Sequence, residues 1–279
     1  MNCLRRIITV TVVLAVLLFA STPLQNVYAQ TPTYVNINIS GTRDGTDYSE
    51  GAYDDGTYYW ISLFKQGGIL KVRKSDNAIA GTFQAYASAS VDSRDFYTPV
   101  DDGNGNLWIV ERDSGRVWKY NKAGNTWNSY CLTPTVTGTT RDYNNNGCNF
   151  YRVDASGNTY DYNTPSYYSV VVGNYLYIAG KYQYTFENDP SVTDAEFAGL
   201  YKVTLADGLI TRISFPAGTN APSGITKDGT ILWVSDRVTA GKIYKFDTSS
   251  DTVTQTITTS SVTYPFSLFD DGTFLYATS

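Results

Sequence analysis

The chain of 279 residues contains no histidine, a single methionine (Met1) and three cysteines. Charged residues make up only 17% of it. Each shortage closes off some chemistry. Without imidazole there is no Ser-His-Asp triad, no Cys-His pair and no histidine-held zinc, copper or haem. Catalysis would fall to Asp, Glu, Tyr, Lys, Ser or Thr. A bound metal would be a hard, oxygen-seeking ion such as Ca²⁺ or another divalent cation of that kind. Haem, copper and zinc are not expected.

Long hydrophobic runs are scarce too. The longest, Ile7 to Ala20, has 14 residues and follows the basic stretch Asn2-Cys3-Leu4-Arg5-Arg6. It falls short of the ~20 residues that a membrane helix needs. Val27-Tyr28-Ala29 then puts small residues at the −3 and −1 positions of a cleavage site. Residues 1–29 therefore read as a secretory signal peptide, cut after Ala29, with no membrane span in the remainder. Cleavage lowers the basic residues from 21 to 19 against 26 acidic ones, a net charge of −7. That balance excludes nucleic acid as a partner, because little would neutralise phosphates. A secreted or cell-surface monomer is expected. Two cysteines survive cleavage, Cys131 and Cys148, and an even pair in an exported chain predicts one disulfide.

What the chain has in quantity is aromatic residues: 24 Tyr, 12 Phe and 5 Trp. They sit in a repeat, as an Asp-Gly pair, an aromatic strand, a Gly and a Lys-bearing strand. The first unit reads Asp55-Gly56, Trp60, Gly68, Lys71. The second reads Asp102-Gly103, Trp108, Gly115, Lys119. The third is degenerate, with Gly173-Asn174, Tyr177, Gly199, Lys202. The fourth reads Asp228-Gly229, Trp233, Gly241, Lys245. The fifth begins with Asp271-Gly272 and Tyr276. Successive aromatics are 48, 69, 56 and 43 residues apart. Four short strands per ~40–50 residues are the pattern of a β-propeller. The fold class is therefore all-β, with residues 30–279 forming one propeller of four-stranded blades. Five units are visible and the last is incomplete. Tyr34 to Ile39 alternates well enough to serve as a closing strand, but a strand C for the fifth unit is missing. The expectation is a piece of a larger ring of six or more blades, or an irregular closure.

Local chemistry assigns the repeated residues to structure. Asp-Gly is a preferred hairpin turn. The Trp is expected between blades, and the Lys on a solvated face.

The blades resemble streptogramin lyase-like and gluconolactonase-like (regucalcin-type) propellers, and NHL-repeat proteins more broadly. The residues that carry this are Asp102-Gly103-Asn104-Gly105-Asn106-Leu107-Trp108-Ile109-Val110-Glu111, and Pro222-Ser223-Gly224-Ile225 through Trp233-Val234. The resemblance implies a divalent ion in the central channel. Ser49-Glu50-Gly51 matches the first ligand motif, which makes Glu50 a candidate metal ligand. At the later ligand positions stand Ser223 and Phe266. The resemblance also implies a catalytic histidine for the lyases, and this chain has none.

Strand order separates two faces. The A–B and C–D turns lie on one, and the B–C and D–A loops on the other. Two insertions, 131–163 and 182–198, both fall on the second face. Long loops on a rigid scaffold are where binding concentrates. Tyr182, Tyr184, Glu187 and Asp189 are candidate ligand-binding residues there. Asp142, Asn144 and Asn146 open a D-x-N-x-N-G string that could hold calcium, although Val153 takes the place of its usual last ligand. Glu111-Arg112 and Asp236-Arg237 each begin three residues after a blade Trp. They would form inter-blade ion pairs or line the ligand mouth.

These features predict a secreted propeller that binds an extracellular protein or glycan at the loop-rich face. The alternatives are a divalent-metal-dependent lactonase-like or lyase-like enzyme using Glu50, and a glycosidase using two carboxylates.

Overall fold

The computed structural model describes residues 49–63, 67–85, 96–112, 115–132, 140–141, 150–153, 159–163, 166–180, 183–184, 198–219, 221–260 and 262–279. All of them belong to one compact unit, Asn38–Ser279. The signal segment and the Tyr34 to Ile39 strand lie outside the described residues. Every regular element among the described residues is a strand. No helix among them is long and apolar enough to cross a membrane.

The repeat maps onto sheets, one unit to each. Blade one is β1 (Ala52–Asp54), β2 (Tyr58–Leu63), β3 (Gly68–Arg73) and β4 (Ile79–Gln84). Blade two is β5 (Val100–Asp101), β6 (Asn106–Glu111), β7 (Arg116–Asn121) and β8 (Thr126–Cys131). An added sheet contains β9 (Thr140–Arg141), β10 (Phe150–Val153) and β11 (Thr159–Asn163). Blade three begins with β12 (Ser166–Val172) and β13 (Tyr175–Gly180). A short strand, β14 (Gln183–Tyr184), interrupts it before β15 (Gly199–Thr204) and β16 (Ile210–Ser214). Blade four is β17 (Pro222–Asp228), β18 (Ile231–Asp236), β19 (Lys242–Asp247) and β20 (Thr252–Thr258). The fifth unit has β21 (Ser267–Asp270) and β22 (Leu275–Thr278). Blades one to four are four-stranded antiparallel meanders in sequence order.

The blades pack face to face through three apolar layers. Trp60 and Ile69 of blade one meet Leu107, Ile109 and Tyr120 of blade two. Trp108 and Val117 of blade two meet Leu176, Ile178 and Tyr201 of blade three. Tyr177 and Leu200 of blade three meet Leu232, Val234 and Phe246 of blade four. The inner strands stand side by side, β12 against β17 and β5, and β17 against β21. This stacking of sheets around shared inner strands is a β-propeller.

The Asp-Gly turns do more than reverse the chain. Gly56 and Gly103 take φ of 90° and 74°, which only glycine adopts without strain. The aspartate before each locks the next strand. Asp55 accepts the N–H groups of Thr57 and Tyr58 at 2.9 and 2.6 Å, and the indole N–H of Trp60 at 2.7 Å. Asp102 accepts from Asn104 N, Asn106 N, Asn106 Nδ2 and Trp108 Nε1 at 2.8, 3.1, 2.9 and 3.2 Å. Asp271 does the same for Thr273, Phe274 and the Tyr276 hydroxyl. Burial pushes the carboxyls of Asp55 and Asp102 up, but these hydrogen bonds outweigh it and hold both below the usual range.

The strand-C lysines depart from the expected solvated face. Each pairs directly across from the blade's aromatic, as Trp60↔Lys71, Trp108↔Lys119, Tyr177↔Lys202 and Trp233↔Lys245. The ammonium groups lie 4.7, 5.1, 5.8 and 5.4 Å from those ring centroids. The alkyl stem covers the ring and the charge sits over its face, so these are cation–π staples. The insertion in blade three leaves the register of Tyr177 and Lys202 unchanged.

Candidate functional site

Strand A of each blade enters from the loop-rich face, because its far end makes the A–B turn. Residues at the start of these strands therefore meet at the axis on that face. Tyr97 precedes β5, Tyr168 lies in β12 and Phe266 precedes β21. Their rings form a chain, with centroids 5.8 Å apart for Tyr97–Tyr168 and 5.7 Å apart for Tyr168–Phe266, both edge to face. The Arg237 guanidinium lies 5.1 Å from the Phe266 ring. Burial pushes the Tyr168 hydroxyl up; the nearby Glu50 charge adds to this, and a hydrogen bond with Ser267 opposes it.

The two later positions of the metal motif are both occupied by other work. Ser223 is buried, with its hydroxyl 3.3 Å from Ser235 Oγ and 3.2 Å from the Pro265 carbonyl. Gly224 passes so close to blade five that a Cβ there would stand 2.7 Å from the Phe266 carbonyl. Phe266 contributes a ring. A hard cation takes six to eight oxygens, and the Glu50 carboxylate near Tyr168, with Ser223 and Phe266 at the other two positions, does not supply them. Among the described residues no three His, Cys, Asp or Glu side chains gather as a metal group.

Glu111 and Asp236 are 1% and 0% exposed. Glu111 accepts the indole N–H of Trp118 at 2.7 Å and pairs across the strands with Arg116. Asp236 accepts the Ala221 N–H at 2.7 Å and the Tyr244 hydroxyl at 3.4 Å. Burial pushes that hydroxyl up to about 12. Both acids thus hold their own blades together. Arg112 follows β6, while the exposed Arg237 lies over Phe266.

The insertions contribute strands. Segment 131–163 supplies β9, β10 and β11, and segment 182–198 supplies β14. The two join, because β11 pairs with β14 through Tyr162↔Tyr184 and Asn163↔Gln183. The resulting four-stranded sheet has the order β14-β11-β10-β9. Strand order alone puts these segments on one face, and their pairing brings them together. The side chains of Tyr182, Tyr184, Glu187 and Asp189 lie outside the described residues, as do Asp142, Asn144, Asn146 and Cys148. Cys131 ends β8, paired with Arg116.

One feature escaped the sequence reading. A cleft of about 450 Å³ opens between blades one and two on the turn-bearing face. Its signal was present in the repeat, as Lys122 stands just after β7, where blade three has Leu205 just after β15.

No protein-family model and no curated protein match the chain. Solved structures do. A virginiamycin B lyase from Staphylococcus aureus, determined with quinupristin, is 18% identical at a TM-score of 0.47, over 83% of this chain and 78% of that one. A streptogramin B lyase structure is 17% identical at 0.31, over 86% and 92%. The Myceliophthora thermophila Cps50 (Swd1) propeller domain is 10% identical at 0.48, over 80% and 60%. AztD from Citrobacter koseri is 15% identical at 0.44, over 78% and 48%. At these identities the likeness is one of fold, and a propeller scaffold hosts many functions.

Proposed function

We propose that this chain is an exported, non-catalytic propeller that binds an extracellular protein or glycan at its loop-rich face. The observation that carries the reading is the β11–β14 pairing, which turns two distant insertions into one added sheet. A sheet built onto a scaffold gives a rigid platform, and rigidity lowers the ordering cost of binding. The composition of the insertions suits recognition. Tyrosine offers large contact area with a polar tip at little entropic cost. A Cys131–Cys148 bridge would pin the longer insertion, and calcium held by Asp142, Asn144 and Asn146 would order its tip. The ring cluster at the axis supports binding over metal chemistry, since Phe266 and Ser223 stand where oxygen ligands would be needed.

The test compares the secreted chain with a variant in which residues 185–197 become a Gly-Ser linker. Both are applied to arrays of extracellular proteins and glycans, in calcium and in EDTA. The expected result is a ligand bound by the first and lost by the second, more weakly bound in EDTA. Hydrolysis of lactones with Mg²⁺ or Ca²⁺ is measured alongside. Turnover that disappears in Glu50→Gln would overturn the reading in favour of the enzyme.

A further inference from the structure

Among the described residues, the clefts between blades one and two, two and three, and three and four on the turn-bearing face are built alike, yet the first is left open. Between blades two and three, Lys119 crosses the gap and donates to the Leu205 carbonyl at 2.8 Å. Between blades three and four, Lys202 crosses it and pairs with Asp251 at 2.6 Å. In both, the strand-C lysine of one blade is tied to the C–D turn of the next. Lys71 is the same residue in blade one. Among the described residues it has ring partners only, 3.9 Å from the Tyr58 centroid and 4.7 Å from that of Trp60.

The chain explains why no tie forms. The C–D turn of blade two offers Lys71 another cation, Lys122, which is itself paired with Asp101. Asn125 takes the place of Asp251, both with positive φ, and its side-chain oxygen accepts from Tyr120. Like charge and a spent acceptor leave the cleft unbridged, with a volume of about 450 Å³. That lies within the ~300–1,000 Å³ range of small-molecule sites.

The walls define the ligand. Asp55 and Asp101 balance Lys71 and Lys122, so the cleft has no net charge. The Asp55 oxygens are committed to Thr57, Tyr58 and Trp60, and those of Asp101 to Gly103 and Lys122. The uncommitted ammonium donor is Lys71, beside the rings of Tyr53 and Tyr58. A fitting molecule is uncharged, rich in hydrogen-bond acceptors and flat enough on one side to lie against a ring. We propose that the cleft between blades one and two is a binding site for a neutral sugar unit, with Lys71 as the hydroxyl-recognising donor. It is a second site, on the face opposite the added sheet.

The experiment is calorimetric titration of the secreted chain with glucose, galactose, mannose and their β-linked disaccharides, and with glucuronate and galacturonate. Saturable binding of at least one neutral sugar is expected, weakened tenfold or more in Lys71→Met. Methionine keeps much of the stem over the rings, and a melting curve checks the fold. Should that variant not fold, Thr57→Tyr narrows the cleft from its exposed rim and should weaken binding equally. No binding by any neutral sugar, binding of the uronates alone, or affinity unchanged in the folded variant overturns the proposal. The 185–197 linker variant should retain the sugar, which separates this site from the loop-rich face.

Discussion

Blade two and the fifth unit share one local code and differ in what surrounds it. Asp102 and Asp271 both take backbone N–H groups of their turn and the polar tip of a strand-B aromatic. Yet Trp108 is 0% exposed and Tyr276 is 50% exposed. In blade two, Leu176 and Tyr201 of the next blade cover the tryptophan. In the fifth unit, Phe269 and Phe274 beside Tyr276 are 62% and 63% exposed. Turn chemistry is therefore a property of a few neighbouring residues. Burial is conferred by the adjacent blade, and most of the stabilisation comes with it.

The largest effect that tests this contrast is at the aromatics. Trp108→Ala should cost about 3–5 kcal/mol, by transfer loss and an unfilled cavity. A chain of this size should then melt roughly 6–20 °C lower. Tyr276→Ala should move the midpoint by no more than roughly 2 °C, as an exposed substitution. Equal losses in the two melting curves would break the comparison and make the local turn the source of stability.

A smaller effect is expected at the aspartates. Asp102→Ala strands four donors, of which the two of Asn106 and the indole N–H of Trp108 are buried, at about 1–3 kcal/mol. Asp271→Ala strands groups that water reaches, and should cost less. The pH dependence has a definite sign. Hydrogen bonds lower the Asp102 carboxyl in the folded state despite burial. Its contribution is full above the ordinary carboxyl value of about 3.9 and fades as pH falls through the lower folded value. In urea unfolding, the gap between the native chain and Asp102→Ala should be widest near neutrality and narrow below about pH 4. A gap constant from neutral to acid pH would assign the loss to packing rather than to the carboxylate.

The same division between local and surrounding structure decides what was legible in the sequence. Strands, turns and the repeat units follow from period-two alternation and Asp-Gly pairs, which are local signals. The shared face of the two insertions was legible because strand order fixes it, and the Tyr162–Tyr184 pairing agrees. That the insertions would form strands was not, since their pairing partners lie 22 and 20 positions apart, across β12 and β13. The lysines were misread as solvated because a lysine's surroundings depend on the strand beside it. Register puts Lys119 opposite Trp108, and the next blade supplies the Leu205 carbonyl. Glu111 and Asp236 kept both readings open for the same reason: an acid followed by Arg looks alike whether buried or at a mouth.

The smallest expected effect is at that lysine, and it carries the contrast from rings to charges. Lys119 both covers Trp108 and ties blade two to blade three, whereas Lys71 covers rings and, among the described residues, makes no such tie. Methionine at either position keeps much of the apolar stem and removes the charge. Lys119→Met should therefore lose the inter-blade hydrogen bond as well as the cation–π contact, about 1–2 kcal/mol in all. Lys71→Met should lose the second alone, about 0.5–1 kcal/mol for a partly exposed pair. Salt separates the two parts, because the half-buried Lys71 ammonium faces the open cleft and is screened there, whereas a bond to a part-buried carbonyl is screened less. Urea unfolding at low and high ionic strength should then show the Lys71→Met loss shrinking more than that of Lys119→Met. Equal losses with equal salt response would mean that the bond to Leu205 adds nothing. Blade two would then be held to blade three by its apolar layer alone.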